Sequence, residues 1–293
     1  MPEHAYRLVN VFVQGADRFS GNPLCVFENG DALDADTMQA LARQFNLSET
    51  TFIMLSRKAS ARVRIFTPSY EMPFAGHPTL GTAHVCRALG LAGDELSLEM
   101  QAGVIPVHAQ GRRWTLQANA PRWREVSESR ADIAEMLSIR ASDIIDRPLW
   151  VSVGREQLIV PLASARAVES ALPRGALLEQ MKSEDGASMA YVFAPAEQAP
   201  KSARDGPPDV QRLVARFFFP QGPAVLEDPA TGSATANLGG WCLAMERSLP
   251  GRFEIAQGAQ AGRPSTLFLE VDARGRILVS GEVLELGRGT IML

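Results

Sequence analysis

Two segments of the sequence place polar side chains where a helix is predicted to begin. The first, RIFTPSYEMPFAGHPTLGTAHVCRALG, spans residues 64–90, and the second, RFFFPQGPAVLEDPATGSATANLGGWCLAM, spans residues 216–245. Each passes from an aromatic, strand-like run through a Gly and a Thr into small residues typical of a buried helix. The polar residues at these starts are His77 and Thr79 in the first segment and Asp228, Thr231 and Ser233 in the second.

A helix start is a natural site for an anion, because its first backbone N–H groups lack partners and it carries about half a positive charge. Two such starts that face one cleft form a binding site for a small anion, most simply a carboxylate. We therefore expect a small carboxylate substrate, bound by Thr79, Thr231, Ser233 and the backbone N–H groups that follow Gly76 and Gly232.

The elements that must position these residues recur in the same order in both halves of the chain. Each buried helix is followed by a strand pair that opens with a similar run, LSLEM at 96–100 and LFLEV at 267–271. A unit of this length indicates a duplicated half-molecule rather than a solenoid repeat. We predict an N-terminal lobe over residues 1–118, to which the last strand at about 281–293 can return, and a C-terminal lobe over 119–280. The active site is expected in the cleft between them.

Local signals give more detailed predictions. Asp34 is predicted to cap a helix that ends at Asn46, a residue that tolerates the left-handed conformation. Pro78 suits the first position of the next helix, which makes His77 its predicted cap. The stretch 194–211, rich in Pro and polar residues, is expected to form an exposed loop within the C-terminal lobe.

The composition excludes several classes of protein. A net charge of −4 gives no broad basic surface for nucleic acid. The longest apolar runs are too short to span a membrane, and the first ten residues lack the basic and apolar segments of a signal peptide. Three widely spaced cysteines, Cys25, Cys86 and Cys242, do not form a disulfide framework. We expect a cytoplasmic protein without nucleic-acid or membrane partners, and a homodimer is left open.

Residue spacing also argues against a metal or cofactor. His77 and His84 are two helical turns apart, roughly 10 Å by helix rise, which is too far to share one ion. His4 and His108 show no ligand spacing. The chain has neither a phosphate-loop pattern nor a dinucleotide fingerprint. Catalysis without a metal or cofactor is therefore the simplest expectation.

Four sequence blocks together resemble the phenazine-biosynthesis isomerase family (PhzF-like). They are GADRFSGNPLCVF, NLSETTF, RIFTPSYEMPFAGHPTLGTA and EDPATGSATANL, and they keep the family's order between residue 10 and the C-terminus. The resemblance implies an α+β fold of the diaminopimelate epimerase type. In that fold two pseudo-symmetric lobes each wrap a β-barrel-like sheet around a central helix.

The resemblance also implies a role for each matching residue. Glu49, in NLSETTF, is similar to the family's acid–base residue, and His77, Asp228 and Ser233 match the polar residues of the other two blocks. We expect Glu49 to relay a proton to and from carbon, which a Glu does best when burial raises its pKa toward neutrality. His77 and Asp228 would assist. From residue types alone, the alternatives are a surface Glu, a capping His and an Asp that forms a turn before Pro229.

The predicted function is a cofactor-independent isomerase that moves a proton on a small cyclic or conjugated carboxylic acid, similar to the dihydro-hydroxyanthranilate isomerases. A non-catalytic binding or scaffold protein of the same fold is one alternative, and the intact set of four polar residues argues against it. An epimerase or racemase is the other. The related epimerases use a cysteine at each helix start, where this chain has Ala75 and Thr231.

Overall fold

The chain is described by a computed structural model over residues 2–197 and 209–293. It divides into two compact units. The first unit comprises residues 1–117 and 280–293, and the second comprises residues 118–279. Within the described ranges, no helix is both long enough and apolar enough to cross a membrane.

The first unit is built mainly from strands, with two helices. The helices are α1 (Ala35–Phe45) and α2 (Gly76–Ala88). The strands are β1 (Glu3–Val11), β2 (Asn22–Phe27), β3 (Thr50–Met54), β4 (Ala61–Phe66), β5 (Glu71–Met72), β6 (Glu95–Met100), β7 (Gly103–Gln110) and β8 (Arg113–Gln117), joined by the last strand of the chain, β17 (Ile277–Met292).

Eight of these strands close into a β-barrel. β1 pairs with β2 and with β17, β2 pairs in parallel with β3, and β3 pairs with β4. β4 pairs in parallel with β6, which begins the antiparallel run β6–β7–β8, and β8 pairs with β17 to complete the ring. Closure removes the unpaired sheet edge that would otherwise invite association.

The helix α2 packs against six of the barrel strands, β1, β2, β3, β4, β6 and β8. Nine of its thirteen residues are buried. Small side chains permit this close approach. A Cβ atom on Gly81 would lie 2.6 Å from Cδ2 of Leu24 and 2.9 Å from Cγ2 of Val11, so the helix lies closer to β1 and β2 than any larger residue allows.

The predicted boundaries of α1 are confirmed, and the predicted cap of α2 is not. Asp34 caps α1 by accepting from the backbone N–H of Thr37, and Asn46 ends the helix at φ 51°, so both predictions are confirmed. The prediction that His77 caps α2 is wrong, because Ala75 is the cap and His77 is the second helical residue. Pro78 therefore occupies the third position. None of the first three N–H groups has an acceptor within a helix, so the missing N–H of Pro does not distinguish among them.

The second unit contains eight strands and four α-helices within its described residues. The strands are β9 (Arg122–Glu125), β10 (Leu149–Ser152), β11 (Glu156–Pro161), β12 (Ala190–Pro195), β13 (Val210–Gln221), β14 (Ala224–Asp228), β15 (Gly251–Gln257) and β16 (Ser265–Val271). The helices are α3 (Arg130–Leu137), α4 (Ala165–Ser170), α5 (Gly175–Leu178) and α6 (Gly232–Ala244), with a 3-10 turn at Ala141–Asp143.

The strands of this unit form both antiparallel and parallel pairs. β9, β10 and β11 are antiparallel neighbours, β11 and β12 are parallel, and β12 and β13 are antiparallel. The long strand β13 pairs with β15 over its first half and with β14 over its second. β15 continues into the antiparallel pair with β16. The helix α6 packs against β9, β10, β11 and β16, and ten of its thirteen residues are buried.

The fold is therefore mixed α/β with a closed eight-stranded barrel. The predicted pseudo-symmetry of two lobes, each around a central helix, stays a prediction. Of the loop predicted at 194–211, residues 198–208 lie outside the described residues. Its two ends belong to strands, Ala194 and Pro195 to β12, and Val210 and Gln211 to β13.

Replacing Gly81 by Ala should destabilise the first unit. The added methyl group would overlap the buried side chains of Leu24 and Val11. Overpacking of this kind costs typically about 1–3 kcal/mol, against a gain of about 1 kcal/mol in helix propensity. Because the methyl group would overlap two side chains at once, we expect a cost in the upper part of that range and a net loss of about 1–2 kcal/mol in the free energy of unfolding, measured by urea denaturation.

Gly93→Ala is the matched control, because nothing lies within 4 Å of a Cβ atom at that position. It should leave the unfolding free energy within about 0.5 kcal/mol of the parent value. A Gly81→Ala variant as stable as this control would contradict the packing described for α2.

Candidate functional site

Glu49 lies at the mouth of β3, directly before its first residue. The two residues that follow it, Thr50 and Thr51, are fully buried. The hydroxyl of Thr51 shares a hydrogen bond of 2.8 Å with the hydroxyl of Thr82 on α2. This bond ties the start of β3 to the helix, and it thereby fixes Glu49 beside the helix start.

Glu49 meets His77 at that start. Oε2 of Glu49 lies 3.3 Å from Nε2 of His77, and the two side chains are 15% and 7% exposed. Within the described ranges Nε2 of His77 makes no hydrogen bond, so the contact lies within ion-pair distance without hydrogen-bond geometry. The arrangement holds a carboxyl group against an imidazole at the edge of the protein interior.

The imidazole of His77 is neutral at physiological pH. Burial lowers the pKa of His77 from its ordinary value of 6.5 to about 3, because the interior disfavours the charged ring. A neutral imidazole presents one N–H donor and one acceptor nitrogen. His77 can therefore exchange hydrogen bonds with Glu49 or with a bound molecule without forming a permanent ion pair.

The first turn of α2 leaves backbone donors beside this pair. The N–H groups of Gly76 and His77 precede the first intrahelical bond, which runs from Thr79 N to Ala75 O at 3.2 Å. Pro78 has no N–H. The hydroxyl of Thr79 donates to the carbonyl of Ala75 at 2.7 Å, so its hydrogen is engaged within the helix. The predicted contact of Thr79 with substrate stays a prediction.

The start of α6 is organised around Asp228. Thr231, the cap of the helix, donates its hydroxyl hydrogen to Oδ2 of Asp228 at 2.5 Å. Gln257, buried at the end of β15, donates through Nε2 to the hydroxyl of Thr231 and to the carbonyl of Asp228, both at 2.9 Å. Its Oε1 accepts from Thr231 N at 3.3 Å. In this geometry Thr231 orients the carboxyl group of Asp228, and its role in binding substrate stays a prediction.

Ser233 occupies the second position of α6, as His77 does in α2. Its hydroxyl accepts a hydrogen bond of 3.0 Å from Nε2 of Gln157 on β11. The amide of Gln157 is held in turn by Asn237, one helical turn beyond Ser233. The backbone N–H groups of Gly232 and Ser233 precede the first intrahelical bond, from Thr235 N to Thr231 O at 3.0 Å.

The structure thus brings the predicted residues together in two groups, one in each unit. Glu49, Gly76, His77 and Thr79 lie at the start of α2, and Asp228, Thr231, Gly232 and Ser233 lie at the start of α6. Whether both groups act on one substrate stays a prediction.

Three supporting amides were missed at the sequence level. They are Gln157, Asn237 and Gln257, and all three are almost completely buried. Asn237 did carry a signal, since it is the one long polar side chain in the small-residue run of α6, four residues after Ser233. The two glutamines carried none, because nothing in a strand's own sequence tells which helix it will face.

The cysteines are remote from the chemistry expected of an epimerase. Cys25 lies in β2, Cys86 in α2 and Cys242 in α6, and all three are buried. Burial raises the pKa of all three thiols, to about 12 for Cys86 and Cys242. The two helix caps are Ala75 and Thr231, neither of which can replace a thiol as an acid–base group.

Acidification should destabilise the protein through His77, which is buried, and His84, which is partly buried. His77 and His84 are neutral in the fold, with pKa values lowered by burial to about 3 and about 4, while both take up a proton near pH 6.5 in the unfolded chain. Below pH 6.5 the unfolded state binds more protons, so the unfolding free energy falls with pH. Each histidine adds a slope approaching about 1.4 kcal/mol per pH unit.

The test is urea denaturation of the parent and of His77→Gln between pH 7.5 and pH 4.5. The variant should show a shallower loss of stability below pH 6.5, and the double variant with His84→Gln a shallower loss again. An unchanged slope in His77→Gln would mean that His77 takes up its proton in the folded state.

Comparison with known sequences gives consistent matches over nearly the whole chain. A family model described as phenazine biosynthesis-like protein, PhzC-PhzF, matches residues 9–287. An uncharacterized isomerase of Pasteurella multocida is 35% identical over 294 residues, covering 99% of this chain and 94% of that protein. The trans-2,3-dihydro-3-hydroxyanthranilate isomerase of Pseudomonas chlororaphis is 33% identical over 311 residues, covering 99% of this chain and 100% of that enzyme.

Solved structures give the same picture of the fold. A PhzF-family phenazine biosynthesis protein of Bacillus anthracis superposes with a TM-score of 0.84 at 21% identity, covering 100% of both chains. A probable proline racemase of Agrobacterium radiobacter superposes with a TM-score of 0.63 at 12% identity, covering 99% of this chain and 93% of that one. At these identities the likeness to both proteins concerns the fold alone.

Proposed function

The chain belongs to the PhzC-PhzF family of phenazine biosynthesis-like proteins, and on this premise we propose that it moves a proton on a small cyclic or conjugated carboxylic acid without a cofactor. The resemblance noted in the sequence is confirmed, because the family model spans residues 9–287 and two relatives above 30% identity cover the chain. The prediction of an isomerase is confirmed as well, since those relatives are isomerases. The substrate and the mechanism are the subject of the proposal.

The contact between Glu49 and His77 is the observation that carries the mechanism. Glu49 accepts a proton from one carbon of the substrate and returns it to another carbon of the same molecule. The double bonds shift between the two steps, so the composition is unchanged and no electrons leave the substrate. A carboxylate can do this only if it is ionised at the first step and is not held in a permanent ion pair.

His77 suits that requirement because its ring is neutral. A protonated imidazole at 3.3 Å would stabilise the carboxylate and make it a weaker base. The neutral ring can instead accept a hydrogen bond from protonated Glu49 after the first transfer, or donate one to the substrate. It thereby supports both protonation states of the relay.

The helix start supplies the electrostatic part of the proposal. Removing a proton from carbon leaves negative charge on the conjugated system and on the carboxylate attached to it. The N–H groups of Gly76 and His77 and the positive end of α2 stabilise such charge without rearrangement during the reaction. This is the reason to expect a carboxylic acid rather than a neutral or cationic substrate.

The residues of the second unit take the roles implied by the family resemblance. Asp228, held by Thr231 and Gln257, assists proton transfer, and Gly232 and Ser233 bind the carboxylate. The Pseudomonas relative is named for trans-2,3-dihydro-3-hydroxyanthranilate, a cyclic conjugated amino acid. We propose this compound as the first substrate to test.

The alternatives have weaker support. A two-base racemase of the cysteine type needs a thiol at each helix start, where this chain has Ala75 and Thr231. A scaffold protein that has lost catalysis has no reason to keep a carboxyl group 3.3 Å from a buried neutral imidazole, since both groups cost stability there.

Glu49→Gln should abolish most of the activity. The amide keeps the size of the side chain but cannot exchange a proton with carbon. Loss of a general base lowers the rate typically by about 10²–10⁴-fold, or roughly 3–5 kcal/mol in the barrier. Turnover of trans-2,3-dihydro-3-hydroxyanthranilic acid and deuterium incorporation from D₂O into carbon measure the effect.

Glu95→Gln is the control, because Glu95 is exposed on β6 of the same barrel. It should keep the parent rate. Near-full deuterium exchange in Glu49→Gln would show that another residue relays the proton, and Asp228 would be the next to test. Absence of exchange with this compound and with related cyclic dienoic acids in the parent protein would favour the scaffold alternative.

A further inference from the structure

A chain of side-chain amides leads from a hairpin turn in the second unit to the hydroxyl of Ser233. Val153 N donates to Oδ1 of Asn237 at 2.9 Å. Nδ2 of Asn237 donates to the carbonyl of Arg155 at 3.0 Å and to Oε1 of Gln157 at 2.8 Å. Nε2 of Gln157 then donates to Oγ of Ser233 at 3.0 Å. The turn between β10 and β11 is thereby linked to the first turn of α6.

The backbone groups at one end of this series of amides decide which atom donates and which accepts in each of its hydrogen bonds. An N–H group can only donate and a carbonyl can only accept, so Asn237 must turn its oxygen to Val153 and its NH₂ group to Arg155. That NH₂ group also faces Gln157, which must therefore present its oxygen to Asn237 and its own NH₂ group to Ser233. Flipping either amide would oppose two donors or two acceptors in the interior.

The burial of the two amides makes this direction permanent. Asn237 is 0% exposed and Gln157 is 1% exposed, so water cannot replace a lost partner. Ser233 differs from them because it is partly exposed. Its oxygen accepts from Gln157, and the described residues offer its hydroxyl hydrogen no acceptor that would hold it in the interior.

We propose that Gln157 and Asn237 are positioning residues that hold Ser233 as a hydrogen-bond donor and so select a carboxylate at the start of α6. The inference rests on the proposed function, because it concerns the binding of the substrate's carboxylate. A serine hydroxyl can ordinarily rotate to donate or to accept. With one lone pair occupied by Gln157, the hydroxyl has one lone pair and its hydrogen left, and a carboxylate, which can only accept, accepts a hydrogen bond from that hydrogen.

The selectivity follows from the surroundings of that hydrogen. The backbone N–H groups of Gly232 and Ser233 are donors as well. A group bound there meets donors on each of these contacts, which suits the two oxygens of a carboxylate and disfavours an amide that must turn an NH₂ group toward one of them. The amide chain achieves this preference with neutral side chains.

The test is a double-mutant cycle on the full chain, with anthranilate as the probe and anthranilamide as its neutral counterpart. Dissociation constants for both are measured by calorimetry in the parent, Gln157→Met, Ser233→Ala and the double variant. Met keeps the length of Gln157 and adds no charge. We expect Ser233→Ala to weaken anthranilate binding by about tenfold or more, the effect of one hydrogen bond to a charged group.

Gln157→Met should weaken anthranilate binding about three- to tenfold and reduce the preference over anthranilamide, because it releases the hydroxyl to rotate. In the Ser233→Ala background, Gln157→Met should change the dissociation constant for anthranilate less than about twofold, because Gln157 acts on the ligand through Ser233. Gln257→Met is the matched control. It alters another buried glutamine of the second unit, whose hydrogen bonds within the described residues go to Thr231 and Asp228 and not to Ser233, so its effect should add to that of Ser233→Ala.

Thermal unfolding of each variant shows which ones fold, and Gln157→Asn, too short to reach both partners, replaces any Gln157→Met protein that does not. If Gln157→Met weakens binding equally with and without Ser233, the positioning role is overturned while the carboxylate site stands. If the parent binds neither probe, both the carboxylate site of the proposed function and this inference are overturned.

Discussion

Two thirteen-residue helices, α2 and α6, are buried along almost their whole length, and the rest of the structure depends on that burial. A helix start always carries backbone N–H groups without intrahelical partners, and burying it would leave them unsatisfied. At α6 one of these groups, the N–H of Thr231, donates to the buried amide of Gln257. At α2 the cap Ala75 makes no side-chain hydrogen bond, and the first turn is flanked by the pair Glu49 and His77. The polar groups gathered at each start are the candidate site residues of that unit.

The two helix starts differ in the polar groups that lie beside them. At α2 the tight approach of Gly81 to the barrel leaves little room, and the polar groups are short hydroxyls or the ring of His77. At α6 the helix itself carries a long polar side chain, Asn237, which reaches a hairpin turn and orders Gln157. One start therefore presents a titratable pair, and the other presents a set of fixed hydrogen bonds.

This difference suits a division of labour in the proposed reaction. Proton transfer needs a group that changes its charge, and Glu49 beside the neutral ring of His77 can do so without breaking an ion pair. Binding a carboxylate needs donors that do not move, and buried amides anchored to the backbone supply them. The cost of burying Gln157 and Asn237 is offset by the hydrogen bonds that they make, whereas the contact between Glu49 and His77, which lacks hydrogen-bond geometry, retains that cost.

The sequence by itself determined what depends on neighbouring residues and on family pattern. Asp34 and Asn46 bound α1 because caps act within one turn, and the four sequence blocks identified the family. The cap of α2 escaped prediction, since Pro78 fits any of three positions in a first turn. Only the tertiary structure decided which distant groups meet. Glu49 contacts His77, and Gln157 contacts Ser233 although 76 residues separate these two in the sequence. Such contacts depend on how strands pack against a helix, and the periodicity of a strand records which face is buried but not which residue it will face.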